Sequence, residues 1–280
     1  MAVYTDISAE ELSSYLGNYD AGILKSFEGI EKGVSNTNYH VFTDLGRYIL
    51  TLFDEHRTRR EDLPFFFSYA NHLNEKSVLC PRALSSRNGE FIHTLQGKPA
   101  VLIEFLNGAD IPRGETKKEH CQQMGGFLGR MHLAVRDFDQ SRKNEWCPST
   151  FSERFNSMKA DIAAKFPAAV FLILKDLLDI SAMDEDLPGG VCHLDLFPDN
   201  IFFEDENLCA MIDMYFAANA PFIYDLAITV NAWCFDKQRR FDAQNFNALL
   251  EGYESQRTLT PTEKALFQKA LRIAALRFLL

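Results

Sequence analysis

The spacing of apolar residues changes part-way along this chain of 280 residues, and this change restricts the possible folds more than any other feature. Before residue 107 the apolar residues form short runs separated by turns, and the runs 39–43 and 48–53 are typical of a β-hairpin. After residue 107 they recur every three or four positions, which is the pattern of amphipathic helices. The sequence therefore predicts an α+β fold in which a small β-rich lobe, residues 1–106, precedes a larger and mainly helical lobe, residues 107–280.

Local signals indicate where the helices begin. A Ser or Thr followed three residues later by Glu is the capping-box pattern, and it occurs at Ser8, Thr116 and Thr260. Further helices are predicted at 61–73, 151–178 with an interruption near Pro167, 224–234 and 245–253, and further strands at 100–106 and twice within 191–216. The helix that begins at Pro261 remains apolar and periodic up to Leu280 with no stop signal, so we expect the native chain to continue past this residue.

Composition excludes several classes of protein. The formal net charge of −10 argues against nucleic acid or an anionic membrane as a partner, because both require basic surfaces. The six cysteines are scattered without a C-x-x-C pair, which favours reduced thiols over disulfides or a zinc site. The chain begins without a signal-peptide pattern, and its longest apolar run, 167–174, is too short to span a bilayer. These features predict a cytoplasmic protein.

The pattern His193-x-Asp195-x-x-x-x-Asn200, followed by a predicted hairpin and then Asp213, carries the strongest chemical signal. Phosphoryl transfer needs a carboxylate that orients the attacking hydroxyl, and oxygen ligands that hold Mg²⁺ against the phosphates. An Asp with an Asn five positions later matches the catalytic loop of kinases, so Asp195 is the expected base and Asn200 a metal ligand. Asp213, at the end of a predicted strand, takes the place of the other metal ligand. The alternative is that these residues merely form turns.

The stretches 193–200, 212–217 and 224–227 resemble the aminoglycoside/choline phosphotransferase superfamily. Further stretches resemble more narrowly the homoserine kinases of that superfamily. These stretches are 1–5, 48–53, 61–66, 196–200 and 231–234. Because these stretches are spread over nearly the whole chain, the resemblance does not depend on one motif. It implies a protein-kinase-like bilobal fold, the use of ATP and Mg²⁺, and phosphorylation of L-homoserine to O-phospho-L-homoserine in threonine biosynthesis.

The resemblance also implies roles for individual residues. Asp195 is the catalytic base, and Asn200 and Asp213 hold the metal. A phosphate-covering loop and a hinge whose backbone meets adenine are implied to bind the nucleotide, and their residues include Gly33, Ser35, Asn36, Glu104 and Leu106. One departure is that Thr51 stands where kinases generally carry a phosphate-binding lysine. The cation that replaces this lysine is left open among Arg47, Arg57, Arg59 and Arg60.

Other residues near the motif have two possible roles. His193 belongs to the catalytic loop, and we expect it to brace the loop, because Asp195 already serves as the proton acceptor. His132 follows a helical apolar stripe and is expected to pack against the catalytic segment. Asp225 either stabilises a helix N-terminus or supports the catalytic loop. Asn231 and Trp233 are expected in the acceptor pocket, with a core position as the alternative for Trp233.

Two alternative functions stay open. The acceptor could be of the choline or aminoglycoside type, since Tyr215, Phe216 and Trp233 could form an aromatic cage for a quaternary ammonium. Homoserine instead needs a cation for its carboxylate. The missing lysine also leaves a catalytically inactive nucleotide-binding protein as an alternative. The sequence does not indicate an oligomeric state.

Overall fold

The computed structural model describes residues 5–31, 36–165, 168–179 and 186–280. The chain divides into two compact units. The first consists of Met1–Asn74 and Leu79–Asn107, and the second of Glu75–Val78 and Gly108–Leu280. Within the described ranges, no helix is long and apolar enough to cross a membrane.

The first unit is built on a five-stranded antiparallel sheet in the order β1-β2-β3-β5-β4. Its strands are β1 (Leu24–Gly29), β2 (Thr37–Thr43), β3 (Arg47–Leu52), β4 (His93–Leu95) and β5 (Lys98–Glu104), and its helices are α1 (Ala9–Leu16) and α2 (Leu63–Glu75). Alternate side chains of β2 are buried, as expected where one face of a sheet covers a core. Leu12, Tyr15 and Leu16 of α1 join that core.

The second unit contains six helices and two two-stranded antiparallel sheets among its described residues. The helices are α3 (Lys118–Ala134), α4 (Phe151–Lys165), α5 (Ala168–Asp179), α6 (Phe222–Trp233), α7 (Ala243–Glu254) and α8 (Pro261–Arg277). The strands are β6 (Gly189–Cys192), β7 (Ile201–Glu204), β8 (Asn207–Met211) and β9 (Ala218–Pro221), with β6 paired to β9 and β7 paired to β8. The segment that connects β6 to β7 contains the predicted catalytic loop.

Helices α3 and α7 cross at glycines, and this crossing positions two residues of the site. A Cβ on Gly125 would collide with the carbonyl oxygen of Leu249, and one on Gly252 would collide with that of Gln122. The two backbones therefore approach more closely than larger side chains allow. The close approach brings His132 of α3 within hydrogen-bonding distance of Tyr253 of α7, at 2.7 Å.

Most predicted elements are confirmed, and the capping boxes at Ser8 and Thr260 are both present. The capping box predicted at Thr116 is wrong. Lys117 is the N-cap of α3, and its N–H donates to His120 Nδ1 at 3.2 Å. The Thr116 hydroxyl instead donates to the carbonyl of Trp233 at 2.8 Å, because that buried acceptor lies on the neighbouring helix α6. Strands β1, β4, β6 and β9 were not predicted as strands.

Candidate active site

The catalytic loop has an unusual backbone conformation that a buried carboxylate holds in place. Leu194 has a φ of 66°, in the left-handed region that side chains other than glycine rarely adopt. Asp225, on the first turn of α6, accepts hydrogen bonds from the N–H of His193 at 3.1 Å and from that of Leu194 at 2.8 Å. Both oxygens of Asp225 are thus used to fix the backbone just before Asp195. Of the two readings of Asp225, support of the catalytic loop is the one that these contacts favour.

The charge of Asp225 is itself stabilised by a buried relay of hydrogen bonds. His132 Nε2 donates to Asp225 Oδ2 at 3.3 Å, and Tyr253 donates its hydroxyl proton to His132 Nδ1. Arg257 Nη1 donates to the Tyr253 oxygen at 2.9 Å, and Arg257 Nη2 pairs with Glu263 at 2.8 Å. Burial opposes ionisation of Asp225, but the hydrogen bonds and the neighbouring imidazoles outweigh it and lower the pKa of this carboxyl. Asp225 therefore remains an anion at neutral pH.

Asp195 and Asn200 lie together as the loop pattern predicts. Asn200 Nδ2 donates to the Asp195 carbonyl at 2.8 Å and to its Oδ2 at 3.2 Å. Burial raises the pKa of Asp195 to about 6, even though Arg277 acts in the opposite direction. A carboxyl with this pKa is ionised at neutral pH and is a better proton acceptor than an ordinary aspartate.

Asp213 follows β8 with a left-handed backbone, at φ 60°. The residue is exposed, yet desolvation of its carboxyl by the surrounding protein and the nearby charge of Asp195 raise its pKa. The repulsion between the two carboxylates shows that they share a region in which a positive charge is favourable. With the amide oxygen of Asn200 they form a set of hard oxygen donors, which is the type of ligand that Mg²⁺ prefers.

His193 connects the segment that carries Asp195 to the segment that carries Asp213. Its Nε2 donates to the carbonyl of Ile212 at 3.0 Å, and its Nδ1 accepts the N–H of Asp195 at 3.2 Å. Burial lowers the pKa of this imidazole, so both nitrogens keep these roles in the neutral ring. His193 is thus placed as a brace between Asp195 and the residue before Asp213, with no nitrogen left to exchange a proton with substrate.

A second cluster of ligand-type atoms lies beside the catalytic loop. Donor atoms of His132, Cys192 and Asp225 all lie within 4.8 Å of one another. The His132 nitrogens and the Asp225 oxygens already take part in the hydrogen bonds described above. The protein itself therefore satisfies this cluster, and we assign it a structural role.

The two residues predicted for the acceptor pocket differ in their surroundings, and the contact of Asn231 with the acceptor stays a prediction. Trp233 has no exposed surface, and its indole N–H donates to the carbonyl of Leu196 at 2.9 Å. Because the side chain is enclosed by core residues and its one polar group is paired with the catalytic loop, the prediction that Trp233 contacts the acceptor is corrected to support of the catalytic loop from behind. Asn231 is half-buried, and its amide donates to the carbonyl of Leu271 at 2.9 Å, which joins α6 to α8.

The residues predicted to bind nucleotide belong to the first unit. Gly33 and Ser35 lie outside the described residues. Asn36 is buried, and its Oδ1 accepts the N–H of Asp54 at 3.2 Å. Glu104 ends β5, and Leu106 follows it beyond the strand. Their nucleotide contacts stay predictions.

At the position of the missing lysine, the Thr51 hydroxyl donates to Asn38 Oδ1 at 2.8 Å. Of the arginines considered as its replacement, Arg47 lies over the ring of Phe105, 4.3 Å from its centre. Arg59 pairs with Asp62, and Arg60 donates to Thr94.

Comparison with known proteins assigns this arrangement to a family. Residues 26–259 match the model of the phosphotransferase enzyme family. This chain belongs to that family. A relative from Parvibaculum lavamentivorans named homoserine kinase is 40% identical over 281 aligned residues, which cover all of this chain and 87% of the relative. One from Xanthobacter autotrophicus, also named homoserine kinase, is 41% identical with the same coverage.

A solved structure confirms the fold of this phosphotransferase. An amicoumacin kinase in complex with AMP-PNP and Ca²⁺ matches 98% of this chain and 85% of its own, with a TM-score of 0.76 at 14% identity. At that identity the likeness concerns the fold alone. The predicted protein-kinase-like fold, with a β-rich lobe and a helical lobe, is confirmed.

Sequence patterns missed part of the site of this phosphotransferase. Tyr253, Arg257 and Glu263 complete the relay to Asp225, and they lie close together in the chain, at the end of α7 and the start of α8. The capping box at Thr260 marked Glu263 as part of a helix start, but no pattern indicated that the three residues support the site. For Arg277 a signal did exist. It follows Ile273 and Ala274 at helical spacing, so it is a charged residue on the apolar face of α8.

Proposed function

We propose that this phosphotransferase is an ATP-dependent homoserine kinase, which phosphorylates the hydroxyl of L-homoserine in threonine biosynthesis. The observation that carries the choice of acceptor is 40–41% identity, over the whole chain, to proteins named homoserine kinase. The arrangement of Asp195 and Asn200 supports the reaction type, because it places one partly desolvated carboxylate in a loop of fixed geometry.

Asp195 serves as the base. Its carboxylate accepts the proton of the acceptor hydroxyl while the hydroxyl oxygen forms a bond to the γ-phosphorus and the bond from that phosphorus to ADP breaks. Asn200 orients the carboxylate through its Nδ2, and His193 and Asp225 orient the backbone that carries it. The raised pKa of Asp195 increases its tendency to take the proton and still leaves it ionised at neutral pH.

Mg²⁺ fits the oxygen donors of Asp213 and Asn200, and we assign these two residues as its ligands. When bound, the ion would neutralise charge on the phosphates of ATP. The raised pKa of Asp213 supports this assignment, because uncompensated negative charge next to Asp195 disfavours the carboxylate until a cation is present.

We assign nucleotide binding to the β-rich lobe, residues 1–106, and the acceptor and the chemistry to residues 107–280. In the first lobe the proposed contacts are those of Gly33, Ser35, Asn36, Glu104 and Leu106. The position of Thr51 on β3 supports a family variant in which a neutral strand residue replaces the usual lysine.

A coupled assay of ADP release tests the proposal. The purified protein is supplied with ATP, Mg²⁺ and one of three acceptors, namely L-homoserine, choline or kanamycin, and the D195N variant measures the background. We expect turnover with homoserine alone. Turnover of choline or kanamycin without turnover of homoserine would reject homoserine as the acceptor, and no turnover of any acceptor would favour an inactive nucleotide-binding protein.

A further inference from the structure

Arg277 is a buried cation with an unsatisfied donor. It lies at the end of α8 and is only 5% exposed, and its Nη1 has no hydrogen-bond partner. Leaving a charged donor desolvated and unpaired is costly, and proteins generally tolerate such groups where a ligand will pair with them.

The electrostatic surroundings of Arg277 place it beside the proposed base. The charges of Arg277 and Asp195 stabilise one another, and Asp225 and Tyr224 also interact with the guanidinium. Yet Arg277 forms no ion pair with any of the described carboxylates, and both oxygens of Asp225 are used by backbone N–H groups. A buried positive group that interacts with the proposed base therefore keeps hydrogen-bonding capacity on its Nη1.

Two partly exposed aromatic rings cover this guanidinium. Its carbon lies 5.4 Å from the ring centre of Phe216 and 5.4 Å from that of Phe278. These side chains are 40% and 47% exposed, and Phe278 packs edge-on against Phe197 of the catalytic loop. Phe278 thus connects the surroundings of Arg277 to the catalytic loop, and we expect rotation of one of these partly exposed rings to admit the acceptor.

We propose that Arg277 binds the carboxylate of the acceptor and thereby selects an α-amino acid over an amino alcohol. This inference rests on the proposed function. In homoserine, four single bonds of about 1.5 Å separate the hydroxyl oxygen from the carboxyl carbon, which gives a reach of about 5 Å. A hydroxyl at Asp195 thus brings the carboxylate to a cation in the immediate surroundings of that base. The planar guanidinium can pair with it through two parallel hydrogen bonds.

Kinetics with two acceptors test this role. L-Homoserine and 3-aminopropan-1-ol share the hydroxyl and the amine, and only the first has a carboxylate. Because Arg277 also stabilises the Asp195 anion, the kinetics are measured at about pH 8.5, where Asp195 stays ionised without that charge. At this pH we expect R277M to raise the KM for homoserine about 100-fold with little change in kcat, whereas kcat/KM for 3-aminopropan-1-ol stays within about three-fold of wild type. The control is R272M, which removes an exposed arginine of the same helix and should change neither acceptor.

The possible outcomes separate the two proposals. At this pH, an equal loss for both acceptors would show that Arg277 is only a counter-ion of Asp195 and would overturn the inference. No turnover of homoserine by the wild type would instead reject the proposed function. If R277M fails to fold, as judged by circular dichroism, R277K replaces it, and we expect a KM increase of about 10-fold for homoserine alone. An unchanged KM for homoserine in R277K would also reject the inference.

Discussion

At the scale of single residues, one buried carboxylate determines the geometry of the reaction centre. The left-handed conformation of Leu194 costs on the order of 1–2 kcal/mol for a residue with a side chain. The two hydrogen bonds that Asp225 accepts from backbone N–H groups offset this cost, and both can form only while Asp225 is ionised. The relay from Arg257 through Tyr253 and His132 keeps it ionised, so residues far from the substrate contribute to the position of Asp195.

The substitution D195N should separate activity from stability. We expect kcat to fall by about 10³-fold, because the amide cannot accept the hydroxyl proton. The unfolding temperature should remain the same or rise, since burial raises the pKa of Asp195 and shows that its charge is unfavourable in the folded protein. Steady-state kinetics and a thermal melt measure both quantities.

The matched control for this variant is D199N, which removes an exposed carboxylate of the same loop. It should change kcat by less than about three-fold, because exposed charges contribute little. Turnover of D195N close to that of the wild type would remove Asp195 as the base.

The two buried histidines next to Asp225, His132 of α3 and His193 of the catalytic loop, should resist protonation. Burial lowers the pKa of both His132 and His193, so each imidazole should stay neutral below the ordinary value of about 6.5. The unfolded chain binds these protons first, and falling pH through this window therefore favours unfolding. A pH titration of the imidazole NMR resonances, assigned with the variants H132Q and H193Q, measures both groups. Titration of either ring at or above pH 6.5 would contradict the hydrogen bonds assigned to the neutral imidazoles of His132 and His193.

The residue-level predictions succeeded where a function requires a fixed spacing. Asn200 follows Asp195 by five positions, and this spacing can be recognised in the sequence. The same spacing lets the Asn200 amide reach back to the carbonyl and carboxylate of Asp195, so the two residues are joined by hydrogen bonds. Trp233 shows the limit of such reasoning. Nearly every side chain of α6 is buried, so the apolar pattern gave no indication of which one faces the acceptor. Only the packing of the helices decides that Trp233 lies behind the catalytic loop.

At the scale of elements, the crossing of α3 and α7 requires a glycine at position 125 but not at the adjacent position 126. A Cβ at Gly125 would collide with the backbone oxygen of Leu249, whereas one at Gly126 would lie 3.6 Å from the oxygen of Gly252, an ordinary contact. We expect G125A to destabilise the protein by about 3 kcal/mol, because the backbones must separate. G126A should stabilise it by about 0.5–1 kcal/mol, since alanine is the better helix former.

Urea unfolding of the two alanine variants measures this difference. G125A should also weaken the contact between His132 and Tyr253, so its kcat should fall while that of G126A is retained. Equal stabilities of the two variants would show that the helices separate without cost and that their close approach is not required.

Two of the strands that the sequence did not indicate, β6 and β9, are short, and their pairing is a tertiary effect. β6 and β9 have four residues each, they contain glycine, alanine and proline, and β9 pairs with a strand far earlier in the chain. Propensity in such segments is weak, so the partner strand decides the structure. By contrast, β2 and β3 form a local hairpin with clear alternation, and they were predicted.

At the scale of the whole molecule, the chain carries its proposed nucleotide residues and its proposed metal ligands in two separate compact units. A ligand that binds only the folded protein raises the free energy of unfolding, by about 2.7 kcal/mol at 100 times its dissociation constant. Nucleotide binding should therefore be visible in thermal unfolding even without an acceptor. The contribution of the metal ligands can be isolated in the same measurement.

We expect AMP-PNP with Mg²⁺ to raise the unfolding temperature more than AMP-PNP with EDTA. In D213N this difference should disappear, because the variant removes a proposed metal ligand, and the variant without ligand should melt at or above the wild-type temperature, because the repulsion of Asp195 is relieved. D199N, with its exposed carboxylate outside the proposed ligand set, should retain the full Mg²⁺ effect. A Mg²⁺ effect of wild-type size in D213N would exclude Asp213 as a ligand and leave the amide of Asn200 as the remaining assignment. Differential scanning fluorimetry at matched nucleotide concentrations provides this comparison.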